Sequence, residues 1–211
     1  MSAQPRLLTR FGDVFFAYDK PAGMAVHPNA EGTPDLVTWL KKQRSLPRDL
    51  RPGHRLDRPT SGVVLCGAGR KARAQIASWL SAGAEKRYLA LVAGEPSKDS
   101  GVFDAPLQDE RRGRPLDAHT RYSVRQQLDG FTLLELSLVT GRKHQLRRHL
   151  ARAGLPIVGD TRYGPKRPKR VTGFPGRLWL HAWTLKVGDR CIEAPLPIDL
   201  AEHLQRLRCT E

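Results

Sequence analysis

Asp57 stands between Arg55 and Arg58 in a segment, Gly53 to Gly62, that also carries Pro59. Proline and glycine oppose regular structure there, so a loop displays these side chains. Neighbouring guanidinium groups favour the charged form of a carboxyl group. An ionised, positioned carboxylate can serve as a nucleophile, a base or a metal ligand. The spacing alone leaves a second use open: a loop aspartate that accepts backbone N–H groups or pairs with arginine.

Two further segments could carry chemistry. In Thr140 to Leu150 the spacing predicts a strand end, a Thr-Gly turn and a helix over 143–153. On that helix His144, Arg147 and Arg148 would share a face, with Leu146 and Leu150 on the apolar side. The helix start would attract phosphate or carboxylate. A solvated basic helix is the alternative use. His144 and His149 lie five apart and diverge around a helix, which makes a poor metal pair. In Glu85 to Val92 a strand carries Tyr88, which can stack on a base and move a proton, or simply fill a half-buried site. Asp160, in the polar turn Gly159 to Gly164, is expected to bond local amides. No P-loop, GxGxxG, GxSxG or HExxH pattern occurs.

The elements that must position these residues follow from periodicity and breakers. Val14 to Tyr18 reads as a strand entering a loop at Pro21 to Gly23. Asp35 can cap a helix, Leu36 to Lys42. Pro47 to Pro52 reads as a basic loop, Val63 to Cys66 as a buried strand, and Arg70 to Ala82 as a helix stopped by Gly83. Arg87 to Ala93 is a strand, and Asp99 to Leu116 loops and short hairpin pieces. Ala118 to Val124 and Phe131 to Val139 are strands around a turn at Asp129-Gly130. Gly154 ends the basic helix. Pro165 to Gly176 is a basic loop, Leu178 to Val187 a strand, and Asp199 a cap for a last helix with Leu200, Leu204 and Leu207. This order favours an α+β fold with a largely antiparallel mixed sheet flanked by short helices. No composition shift marks a boundary, so one domain over 1–211 is expected.

The 211 residues carry 36 Lys+Arg against 21 Asp+Glu, a formal charge of +15. Such a balance argues for a polyanionic partner, nucleic acid first. The basic residues are dispersed, including Arg70 to Arg73, Arg111 to Arg114, and Lys166, Arg167, Lys169 and Arg170. Dispersion suits a folded face that follows a phosphate backbone. The three cysteines, Cys66, Cys191 and Cys209, lack CxxC spacing. Neither a disulfide framework nor a cysteine zinc site is expected. No leader-like or membrane-length apolar run occurs, and the default setting is the cytoplasm. High like charge favours a monomer.

Together the segments resemble the RNA pseudouridine synthases of the RluA group. HRLDRPTSGV at 54–63 is similar to that family's central motif, with Asp57 at the catalytic aspartate. KRYLALVAG at 86–94 resembles its tyrosine motif. TGRKHQLRRHL at 140–150, continuing through GLPIVGDTRYG at 154–164, resembles its third motif. DKPAGMAVHP at 19–28 and LWLHAWTL at 178–185 resemble its N-terminal motif and a late core strand. The similarity spans nearly the whole chain in the family's order. Within the family, the first and third motifs look closest to the tRNA pseudouridine synthase C type, which acts in the T-arm region of tRNA. The chain departs from that type at Tyr163, where a histidine is usual, and in a compact middle, 95–117. No S4-like or other accessory domain is expected.

The resemblance implies cofactor-free and metal-free isomerisation of uridine in structured RNA, tRNA first and rRNA as the alternative. It implies Asp57 as nucleophile, Tyr88 as the group that stacks on the base and takes a proton, and Arg147 as the basic partner. Arg55, Arg58, Arg142, Lys143, His144 and Arg148 are the expected RNA contacts. A competing class is a non-catalytic RNA-binding or chaperone protein on the same scaffold, which has no need of the trio. A metal-dependent nuclease would want clustered carboxylates, which the sequence does not offer.

Overall fold

The apolar run near the N-terminus folds as the second of two paired strands, β1 (Arg6–Phe11) and β2 (Phe15–Lys20). β1 is largely exposed, and its short RLLTRF stretch gives little alternation by which to read it. The computed structural model describes residues 3–167 and 171–209. The chain divides into two compact units, residues 1–85 with 182–195 and residues 86–181 with 196–211.

In the first unit, Asp35 caps α1 (Leu36–Lys42) as predicted, its carboxylate accepting the Thr38 N–H at 2.8 Å. The basic stretch read as a loop holds a short strand, β3 (Leu50–Pro52). One side chain explains the difference: Leu50 is fully buried and pairs with Ala68, and the charges around it hide that anchor. β4 (Ser61–Ala68) is buried along nearly all its length, and α2 (Gly69–Ser81) follows it. β2 and β3 both pair antiparallel with β4. Later in the chain, β11 (Leu180–Val187) pairs with β12 (Arg190–Glu193), a short strand absent from the sequence reading. Ala17, Val63, Leu65, Ile76, Leu185, Val187, Ile192 and Ala194 form this unit's core.

In the second unit, β5 (Glu85–Ala93), β10 (Phe131–Leu138), β9 (Thr120–Leu128) and β6 (Ser100–Phe103) lie side by side in that order. Each of these pairs is antiparallel. The turn between β9 and β10 falls at Asp129-Gly130, where Gly130 takes the left-handed position at φ 66°. The compact middle is a hairpin of β7 (Leu107–Asp109) and β8 (Arg114–Leu116). The basic helix, α3, runs Gln145–Arg152, two residues later than predicted at its start. α4 (Ile198–Arg208) has Pro197 at its N-cap. Asp199 therefore does not cap it, but sits in the first turn, 3.4 Å from Arg177. Leu200, Leu204 and Leu207 are buried as expected. The loop predicted over 165–176 carries no helix or strand at its described positions, and Lys169 and Arg170 lie outside the described residues. The antiparallel pairing and interspersed short helices match the α+β expectation.

Gly62 illustrates how tightly β4 is packed beside the Asp57 segment. Its φ is 117°, and a Cβ there would overlap the Ala182 carbonyl oxygen. Gly62→Ala should lose about 2–5 kcal/mol, adding a left-handed penalty of ~1–2 to an overpacking cost of ~1–3. Urea unfolding checks it, and a loss below 1 kcal/mol would contradict the close approach.

Candidate active site

In the first unit the loop bearing Asp57 is built by its neighbours. The Thr60 N–H donates to the Asp57 carbonyl at 3.0 Å, closing a turn over the motif's Pro59. Lys20, entirely buried at the end of β2, donates from Nζ to the carbonyls of Pro21 and Met24 at 2.8 Å each and of Arg58 at 3.4 Å. The Gly23 N–H reaches the same Arg58 carbonyl at 2.9 Å. One buried ammonium thus ties the Pro21–Met24 loop to the residue that follows Asp57. A buried charge is tolerable when such acceptors surround it. Lys20 was legible only as part of a motif; its burial could not be read, because lysine is usually exposed. His54 is placed by the Leu65 N–H, which donates to Nε2 at 2.9 Å. Arg55 is exposed. Burial, and then the Arg55 charge, lower the pKa of His27. Arg58 is exposed and ion-paired to Glu31 at 2.7 Å. An exposed pair of that kind contributes little, so phosphate can compete for the guanidinium.

In the second unit Tyr88 lies within β5, opposite Leu136, and is 9% exposed. The strand starts three residues before it, and the ring is more enclosed than a half-buried strand aromatic. Arg147 is buried on α3 and forms a two-bond fork with Asp160. Nε donates to Oδ2 and Nη2 to Oδ1, each at 2.7 Å. Asp160 Oδ1 also accepts the backbone N–H groups of Arg162 at 2.9 Å and Tyr163 at 3.0 Å, the local amide bonding expected of it. Burial pushes the Asp160 carboxyl up, but the guanidinium and the two N–H groups outweigh it and hold the pKa below the ordinary value. The Tyr163 ring lies over Arg147, with Cζ 5.1 Å from its centroid.

The remaining basic residues of this segment do not form the single face predicted. His144 is the N-cap of α3, in the left-handed region at φ 54° and ψ 31°, and not a helical residue. The cause is Gln145, whose buried amide is used completely. Oε1 accepts from Thr140 Oγ1 and the Arg142 N–H, while Nε2 donates to the His119 carbonyl and Thr120 Oγ1. Those four bonds wind 140–144 as a turn and hold off the helix by two residues. Arg147 and Arg148 also separate: Arg148 Nη1 donates to the Gln108 carbonyl at 3.1 Å. Arg142 Nε donates to Asp117 O at 2.9 Å, Arg152 Nη1 to Pro106 O at 2.9 Å, and Lys143 pairs with Glu110 at 3.1 Å. His149 Nε2 lies 3.0 Å from Ala105 O. Much of the basic segment therefore grips the backbone around the β7–β8 hairpin. The Gln145 network and the Asp160 fork to Arg147 are not legible in residue spacing. Their signal was position alone, beside Arg147 and in the next turn.

Asp160→Asn should cost about 3–5 kcal/mol, the usual result of stripping the partner from a buried ion pair. A carboxylate with a depressed folded pKa adds stability above its unfolded pKa and loses it as pH falls through the folded value. The difference between wild type and variant should therefore persist from pH 8 to 5. It should close below the ordinary aspartate value of about 3.9. Urea titrations across pH measure it, and a constant difference down to pH 2 would contradict the assignment.

The chain is similar to known proteins over most of its length. Residues 14–152 match the family model described as RNA pseudouridylate synthase. The chain is 35% identical over 213 residues to the uncharacterised RNA pseudouridine synthase YlyB of Bacillus subtilis, covering 90% of this chain and 69% of that protein. It is 38% identical over 223 residues to ribosomal large subunit pseudouridine synthase D of Nitrosomonas europaea, covering 93% and 63%. Ribosomal large subunit pseudouridine synthase C of Escherichia coli K12 is 36% identical over 219 residues, with 93% and 68% covered. The chain thus spans about two thirds of the length of these curated relatives. Among solved structures, human RNA pseudouridylate synthase domain containing 4 superposes with a TM-score of 0.77 at 26% identity, over 96% of this chain and 92% of that one. The fold is that of the pseudouridine synthases, and the chain belongs to the RNA pseudouridylate synthase family, isomerases that convert uridine to pseudouridine in RNA.

Proposed function

We propose that this chain isomerises uridine in structured RNA with Asp57 as nucleophile, Tyr88 as base-stacking proton acceptor and Arg147 as the basic partner. The observation that carries the reading is Arg147. Its guanidinium is buried and clamped by Asp160 instead of being displayed. A protein that only binds RNA gains most from exposed cations. Enclosing one is costly and suits a site where charge must be fixed in place.

The target nucleotide leaves its stack to be reached. The bond from N1 to the ribose C1′ breaks with the help of the Asp57 carboxylate. The uracil turns, C5 joins C1′, the C5 proton leaves toward Tyr88, and N1 regains a proton. Composition is unchanged, as isomerisation requires. Arg55 is proposed to fill the space the flipped base vacates. Arg58, Arg142, Lys143 and Arg148 are proposed phosphate contacts; His144, expected among them, instead spends its ring on the Tyr163 hydroxyl at 2.8 Å. Each guanidinium has five N–H donors, so Arg142 and Arg148 can hold the hairpin and still reach a phosphate.

Large-subunit ribosomal RNA is the first proposed substrate, supported by the names of two relatives, synthases D and C. The tRNA T-arm reading rests on the Asp57 and Arg147 motifs alone, and Tyr163 departs from it. The cysteines are all free, which suits a reducing cytoplasm, and the like charge suits a monomer.

Asp57→Asn should keep RNA affinity within twofold and lower product formation by about 1,000-fold or more. Carbodiimide mapping of pseudouridine reads this out, and wild-type turnover would refute the assignment. The same mapping on ribosomal and transfer RNA from a deletion strain separates the two substrates. Arg58→Gln should weaken binding across RNA sequences and lower the log–log salt slope by about 0.7–0.9. An unchanged slope would remove Arg58 from the interface.

A further inference from the structure

We propose that His144 and Tyr163 act as positioning residues for Arg147. The left-handed His144 backbone is kept so that its ring can fix Tyr163 against the guanidinium. The inference rests on the proposed part of Arg147 in catalysis.

His144 is the one non-glycine with positive φ among the described residues. An L-residue is disfavoured there, and glycine would remove the penalty. Strain of this kind persists only where the surroundings impose it, and it gathers at functional sites. The Gln145 amide accounts for the turn, but it does not account for a histidine in it. A residue at an N-cap ordinarily spends its side chain on the first helical N–H groups. His144 makes no such bond. Its Nδ1 instead shares a hydrogen bond with the Tyr163 hydroxyl at 2.8 Å, and the two rings meet edge to face at 71° with centroids 5.6 Å apart.

Tyr163 passes this placement on to Arg147. Its backbone N–H is held by Asp160 Oδ1, the oxygen that also accepts Arg147 Nη2. Its ring lies over the guanidinium. The Asp160 fork fixes the guanidinium within its own plane, because both bonds lie in that plane. A fork alone still permits tilting out of the plane. The ring face opposes that tilt and adds a cation–π attraction. The two constraints act in different directions, so losing the ring's anchor loosens Arg147 without releasing it.

Four variants test this: His144→Gly, Tyr163→Phe, their double, and Arg147→Lys as a reference. Each is measured by single-turnover rate at saturating RNA, by RNA affinity against salt, and by thermal midpoint. His144→Gly relieves the backbone and removes the ring, so its midpoint should equal or exceed that of wild type. Its rate should fall about 10- to 100-fold, as expected of slight misplacement. Tyr163→Phe keeps the ring and loses the anchoring hydroxyl, so its rate should fall comparably. The double variant should be no slower than the slower single, because the pair acts as one unit. Salt slopes should not move.

Rates within twofold of wild type for both singles overturn the proposal. A salt slope lowered by about 0.7–0.9 in His144→Gly, with an unchanged saturated rate, also overturns it and makes His144 a phosphate contact. If His144→Gly lowers the midpoint, Tyr163→Phe decides, since it leaves the backbone untouched. Arg147→Lys separates the two levels. A wild-type rate there removes Arg147 from catalysis, whereas a slow Arg147→Lys beside fast singles removes only the positioning role.

Discussion

A guanidinium and a carboxylate leave water only at a cost of several kcal/mol each, which their attraction repays when the geometry is good. Arg147 and Asp160 meet that condition with two short bonds and almost no exposure. The second unit's chemistry is organised around them. Arg147 comes from α3 and Asp160 from the following turn, so the pair sets how the helix and the turn meet. The same carboxylate collects the N–H groups of Arg162 and Tyr163, which shapes the turn. Moving any of these parts leaves a buried charge without its partner.

Two other buried polar groups solve similar problems. Lys20 satisfies its ammonium with three backbone carbonyls and so joins the loop after β2 to the Asp57 segment. Gln145 uses both lone-pair and both N–H capacities of its amide, and thereby fixes the turn before α3. In each case one polar side chain in the core replaces a ladder of backbone bonds that an irregular loop cannot make. Irregular segments that display reactive groups need such internal staples, since loops lack the repeat that stabilises helices and strands.

The surplus positive charge is used in two ways. Arg55 and Arg58 are exposed, and Arg58's partner is an exposed glutamate. Arg142, Arg148 and Arg152 instead donate to carbonyls between Pro106 and Asp117. Charge-assisted bonds to a carbonyl are stronger than neutral ones, which suits holding a short hairpin that buries little apolar surface of its own. Electrostatics here supports both structure and the capacity to meet a polyanion.

The sequence by itself determined the elements with strong periodicity or clear breakers: α1 with its Asp35 cap, α2, β4, β5 and the turn at Gly130. It also determined the motifs and their order, because residue type and spacing are local properties. Only the tertiary structure decided the rest. β3 depends on the burial of Leu50, which no local rule reveals amid charges. The helix predicted from Lys143 starts at Gln145 because of bonds to His119 and Thr120, some 25 residues away in sequence. Asp199 fails to cap α4 because Pro197 already ends the preceding chain in an extended conformation. Periodicity placed Arg147 and Arg148 side by side; whether each meets a carboxylate or a carbonyl is set by what packs above it. Spacing along a chain fixes which face a residue takes, but the partner on that face comes from elsewhere in the fold.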